Sequence, residues 1–113
     1  MKRANPKTRK PPAAADALVA MQRNADEAVA VLKGLASRNR LLLLCQLVDG
    51  ERSVGDLAKA LGLAQSAVSQ HLSLLRREGV VAGRRDAQSI LYRICDPRVN
   101  TLMATMFALF CRD

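Results

Sequence analysis

The stretch that most limits how this chain can fold is residues 62–81, GLAQSAVSQHLSLLRREGVV. Val68, His71, Leu72 and Leu75, with Leu61 ahead of them, recur at near-helical spacing and predict one buried helix face. Between them stand short polar side chains: Gln65, Ser66, Ser69, Gln70 and Ser73. Arg76 and Arg77 close the helix, where cations suit the negative end of the macrodipole. Gly79 stops it, and Val80-Val81 begin an extended segment. Ahead of it SVGDLAKALGL predicts a short helix broken at Gly62. Two helices joined through a glycine-containing turn are a helix-turn-helix, and the outer face of the second suits base edges and phosphates.

The rest of the chain must support that pair. At 113 residues it has room for one small domain. Half of its residues are hydrophobic and only 3% aromatic, so the core is expected to be aliphatic and helical. Eighteen Lys and Arg against ten Asp and Glu give a formal charge of +8, which beside a helix-turn-helix points to nucleic acid. No apolar run approaches the roughly 20 residues that span a bilayer, so no membrane role is expected. With no signal-peptide pattern at the start, a cytoplasmic location is expected. There Cys45, Cys95 and Cys111 should rest as thiols, too few and too scattered for a disulfide scaffold.

Residues 1–12, MKRANPKTRKPP, carry five cations, no acid and three prolines, and read as a disordered basic arm. Residues 13–113 form the expected domain. A first helix over 13–35 bears the apolar stripe Leu18, Met21, Ala25, Ala28, Val29 and Leu32. Ser37 can cap a second helix over 38–48, with Leu41, Leu44, Cys45 and Val48 on one face. Ser53, with Asp56 three residues on, opens the third like a capping box. After Gly79, VVAGRRD and SILYRI alternate with period two and predict a β-hairpin turning through residues 86–88. A hairpin there is a wing, with Arg84 and Arg85 placed over phosphates. Pro97 can begin a last helix reaching about Cys111. Its apolar positions are too many for one thin domain, so it is expected to pair with the first helix in a homodimer. The expected fold is mainly α with a small β-hairpin, ordered α-α-α-α-β-β-α, with a very short extra strand near Arg52-Ser53: a winged helix-turn-helix.

From about Leu32 to Cys111 the chain resembles the ArsR/SmtB family of dimeric bacterial repressors. The resemblance rests on Leu35 to Leu44, on Ser69, His71, Leu72 and Leu75, and on the exit Arg77, Gly79, Val80 and Val81. It implies a palindromic double-stranded DNA operator, with Gln65, Ser66, Ser69 and Gln70 in the groove. His71 belongs with them or packs within the fold. Arg76, Arg77, Arg84 and Arg85 are the expected remaining DNA contacts.

Many members of that family sense metals, but this chain has Arg52-Ser53-Val54-Gly55 where one thiolate site would open the third helix. It also has no His or Glu after Asp96 for another. Neither a metal nor a cofactor is expected. Cys45 and Cys111, with LLC at 43–45 and RRDAQSILY at 84–92, are similar to the reactive-sulfur-sensing subgroup that includes BigR, SqrR and YgaV. That resemblance implies a dithiol switch. Low-molecular-weight persulfides or polysulfides would bridge Cys45 and Cys111 and release the repressor from DNA. Cys45 alone reads as a small buried hydrophobe. Cys111 lies near the C-terminus beside Arg112, which favours thiolate, and Cys95 reads as structural. Two other classes stay open: a metal-responsive repressor, and an architectural or anti-silencing DNA binder with inert cysteines. An enzyme is not expected, because no base or glycine-rich cradle accompanies the thiols.

Overall fold

The computed structural model describes residues 14–111; the basic arm at 1–12 and Arg112 lie outside them. The elements run α1 (Ala14–Leu35), α2 (Arg38–Leu47), β1 (Arg52–Ser53), α3 (Val54–Leu61), α4 (Gln65–Arg77), β2 (Val81–Asp86), β3 (Ser89–Ile94) and α5 (Pro97–Phe110). The chain divides into two compact units, Met1–Ala30 and Val31–Asp113, with the boundary inside α1. Along the first unit, Leu18, Val19, Met21 and Val29 are exposed.

The second unit is built by local chemistry that the sequence announces. Ser37 Oγ accepts from Arg40 N–H at the start of α2, and Ser53 Oγ accepts from Asp56 N–H at the start of α3. Asp96 caps α5, accepting from Arg98 N–H, with Pro97 in the first turn. Gly62 has φ +66° between α3 and α4, where Leu63 N–H reaches back to Ala58 O at 3.0 Å. At the exit of α4, Gly79 N–H bonds Arg76 O at 3.0 Å and Val80 N–H bonds Leu75 O at 2.9 Å. That double bond turns the chain straight into β2.

The three strands are antiparallel in the order β1-β3-β2, with Val81 opposite Ile94 and Asp86 opposite Ser89. One largely aliphatic core joins the elements: Leu43, Leu44 and Leu47 of α2; Leu57 and Ala58 of α3; Val68, Leu72 and Leu75 of α4; Val81 and Tyr92 of the sheet; Val99 and Met103 of α5. Each large side chain so buried contributes about 1.5–3 kcal/mol.

Three expectations shift. The buried face of α2 is Leu43, Leu44 and Leu47, while Leu41, Cys45 and Val48 are half-buried at its edge. The helix ends at Leu47, and Val48 is its cap. The hairpin strands match the expected segments except that β2 begins at Val81, and Asp86 pairs with Ser89, leaving Ala87 and Gln88 alone in the turn.

Candidate nucleic-acid interface and thiol pair

α4 buries Val68, Leu72 and Leu75, and this fixes what it turns outward. Gln65, Ser66, Ser69, Gln70, Ser73, Arg76 and Arg77 are all exposed. The polar residues singled out from sequence therefore share one solvent face, with the cations at its C-terminal end. Ala64 precedes the helix without a side-chain cap, and the helix still begins at Gln65. Val68 N–H bonds the Ala64 carbonyl at 3.1 Å, so main-chain bonding suffices there. His71 is half-buried, and its Nδ1 is buried with no hydrogen-bond partner among the described residues.

The wing separates its two arginines. Arg84 is bound by both oxygens of Glu51, Nε to Oε2 at 2.7 Å and Nη2 to Oε1 at 2.8 Å. This fork fixes the guanidinium plane. The pairing, with Arg93 adding attraction, holds the Glu51 carboxyl below its usual range. Arg85 is exposed and has no ion pair among the described residues. Glu51 was not singled out from sequence; an acid after Asp49-Gly50 reads as an ordinary turn residue until the fold brings β2 against it.

α2 is tied at both ends. Arg40 Nη1 meets Glu78 Oε2, just past α4, at 3.4 Å, and Arg52 Nε donates to the Gln46 carbonyl at 2.8 Å. Between these ties lies Cys45. It lines an open apolar cavity of about 370 Å³ between α2 and α5, together with Leu41, Leu42, Met106, Phe107, Phe110 and Cys111. Thus the fold brings Cys45 and Cys111, 66 positions apart, to one cavity. Both are free thiols, Cys45 half-buried and Cys111 exposed. Burial pushes the Cys45 thiol above its usual range, and the nearby Cys111 raises it further. Cys95 stands apart, its Sγ donating to the Gly79 carbonyl at 3.3 Å. Among the described residues no three His, Cys, Asp or Glu side chains converge as a metal site would require, and no helix is long and apolar enough to cross a membrane.

A two-helix unit with a polar outer face, followed by a hairpin, defines a winged helix-turn-helix regulator. The family model for bacterial regulatory proteins, arsR family, matches residues 37–82, from the cap of α2 into β2. The transcriptional activator HlyU of Vibrio cholerae serotype O1 is 42% identical over 92 residues, 81% of this chain and 85% of HlyU. Reduced HlyU from Vibrio cholerae N16961 superposes with a TM-score of 0.79, covering 82% of this chain and 98% of that one. The transcriptional repressor BigR from Xylella fastidiosa, 36% identical, also gives 0.79, over 85% and 98% of the two chains. The homodimeric winged helix-turn-helix DNA-binding domain of a Mycobacterium bovis protein, 33% identical, gives 0.68 over 78% and 82%. This chain belongs to the ArsR family of bacterial transcription regulators.

Proposed function

We propose that this protein is a homodimeric repressor that occupies a palindromic operator while Cys45 and Cys111 are reduced and leaves it when they are bridged. The observation that carries the reading is the shared cavity: two thiols from distant elements border the same apolar space. BigR, a similar protein, is named a repressor, and the similar Mycobacterium bovis domain is homodimeric. In this reading Gln65, Ser66, Ser69 and Gln70 face the groove, His71 packs at the edge of the core, and Arg76, Arg77 and Arg85 meet phosphates. Arg84, gripped by Glu51, holds the wing at the height where Arg85 reaches the backbone.

The chemistry assigns an order to the thiols. Cys111 is exposed and Cys45 half-buried, with burial raising the Cys45 thiol, so a reagent from solution meets Cys111 first. A low-molecular-weight persulfide RSSH transfers its outer sulfur to Cys111, giving a Cys111 persulfide and RSH. The Cys45 sulfur then attacks the inner sulfur of that persulfide, closing a disulfide and releasing H₂S. Retention of further sulfurs gives a longer bridge. Two half-sites lie about 34 Å apart, so a small rotation between protomers spoils simultaneous docking.

The test is operator binding by fluorescence anisotropy on reduced and polysulfide-treated protein, with intact mass recorded on both. Affinity should fall about 5- to 150-fold as the Cys45–Cys111 bridge forms. Cys45→Ser and Cys111→Ser should each bind and no longer respond. A variant that still dissociates under polysulfide rules the pair out as the sensor.

A further inference from the structure

We infer that the C-terminal half of α4 carries a seat for one backbone phosphate of the operator, and that His71 donates to that phosphate through Nε2, beside Arg77. The inference rests on the reading of α4 as the DNA-binding helix and adds a contact to it.

The seat opens on the outer side of the helix. Gln70, His71, Ser73, Leu74 and Arg77 line a space of about 330 Å³, within the range of ordinary ligand sites. Positions 70, 73, 74 and 77 are three and four residues apart, so they share one face, and all four are exposed. His71 stands between that face and the core. Its Nδ1 is the only buried side-chain polar atom without a partner among the described residues. Nε2 has no hydrogen bond among them either, so it reaches solvent. A neutral imidazole carries a single N–H. On Nδ1 it would be a buried donor without an acceptor, a rarer condition than an underused acceptor. On Nε2 it is a donor turned outward.

The surroundings ask for an acceptor. Arg77 has no ion pair among the described residues. Glu78, the next residue, does not line the opening, and its carboxylate is held by Arg40 at 3.4 Å. Arg76 and Arg77 offset the negative end of the helix dipole, which would otherwise repel an anion. Around the space stand the Arg77 guanidinium, the His71 imidazole, the Ser73 hydroxyl and the Gln70 amide, all able to donate. A phosphodiester only accepts, and hydrogen bonds to its charge are strong. Leu74 is 37% exposed and offers the adjoining deoxyribose an apolar wall. Placement along the helix agrees. A recognition helix reads bases with its N-terminal residues, here Gln65, Ser66 and Ser69, so its later turns rise past the backbone.

The probe is a duplex selected from random sequence by the reduced full-length protein, then remade with one phosphate at a time replaced by neutral methylphosphonate. Affinity is read by anisotropy and folding by urea unfolding. His71→Leu should lower affinity at least about tenfold, one bond to a charged group being lost in each half-site, without changing the sequence selected. Its unfolding midpoint should hold, because leucine replaces an unpartnered buried nitrogen. His71→Gln, whose amide N–H can stand where Nε2–H stood, should recover most of the affinity. At one phosphate in each half-site, methylphosphonate should weaken binding by the wild type and cost His71→Leu and Arg77→Gln little more. Losses that add in full at every phosphate overturn the seat and leave DNA binding intact. So does His71→Gln binding as weakly as His71→Leu, or a changed preferred sequence in His71→Leu. If the reduced protein selects no duplex, the DNA-binding reading falls, and the inference with it.

Discussion

Ala87 holds a backbone angle that its side chain resists. Its φ is +56°, the only positive value at a non-glycine among the described residues, at the first of two positions in the β2–β3 turn. Hairpin turns of that length favour glycine at such a position. Ala87→Gly should therefore raise stability by about 0.5–1 kcal/mol, the relief of strain being partly offset by the freer unfolded chain. Urea unfolding measures it, and a fall in the midpoint would show the angle is not strained. Gly83 shows the reverse: a Cβ there would lie 3.0 Å from Ile90 Cγ2 and 3.1 Å from Tyr92 Cε1. At this scale the sequence was readable where the chemistry is local. Ser37 and Ser53 act on a backbone N–H three residues away, so their roles stand in the written order. Glu51 acts on a residue 33 positions away, and no local pattern records that.

Among the elements, the wing gives the clearest contrast between pattern and packing. Alternation in SILYRI located β3, but alternation treats Arg84 and Arg85 as equals. The fold does not, because neighbours on a strand point to opposite faces and only Arg84 meets Glu51. Each phosphate contact contributes about 0.9 to the slope of log affinity against log salt, so Arg85→Gln should lower its magnitude by about 1.8 in a dimer. Arg84→Gln should weaken binding with less than half that change in slope, since its charge is already matched. Equal slopes in the two variants would return Arg84 to the phosphates. α2 failed to read correctly for another reason. Leu41 to Leu44 are four consecutive leucines, which point in every direction round a helix and so carry no phase. The partners, α3, α4 and α5, decide that Leu43, Leu44 and Leu47 go inside.

For the whole molecule, exposed apolar surface remains after the core is complete. Leu109 and Phe110 of α5 are 64% and 75% exposed, and Leu18, Met21 and Leu32 of α1 are more than half exposed. A second copy is the proposed cover. Leu109→Glu, outside the thiol cavity, should shift sedimentation towards the monomer and weaken operator binding by removing simultaneous contact with two half-sites. A variant that sediments as wild type would place the interface elsewhere. The winged helix-turn-helix order was legible because each helix and hairpin is announced by its own caps and period. The cavity was not, since α2 and α5 meet only through the finished core.

That core also makes the two walls of the cavity unequal. α2 is nailed down: three leucines fully or almost fully buried, Arg40 fastened to Glu78 and Gln46 fastened to Arg52. The last turn of α5 has Phe107, Phe110 and Cys111 open to solvent and no such fastenings among the described residues. A bond between an anchored post and a loose rope moves the rope. Closing Cys45 onto Cys111 should slow amide hydrogen exchange over residues 106–111 and leave residues 43–47 as they were. α4, joined to the post through Glu78 and Arg40, would then keep its shape, and the message would leave the protomer through the free end of α5.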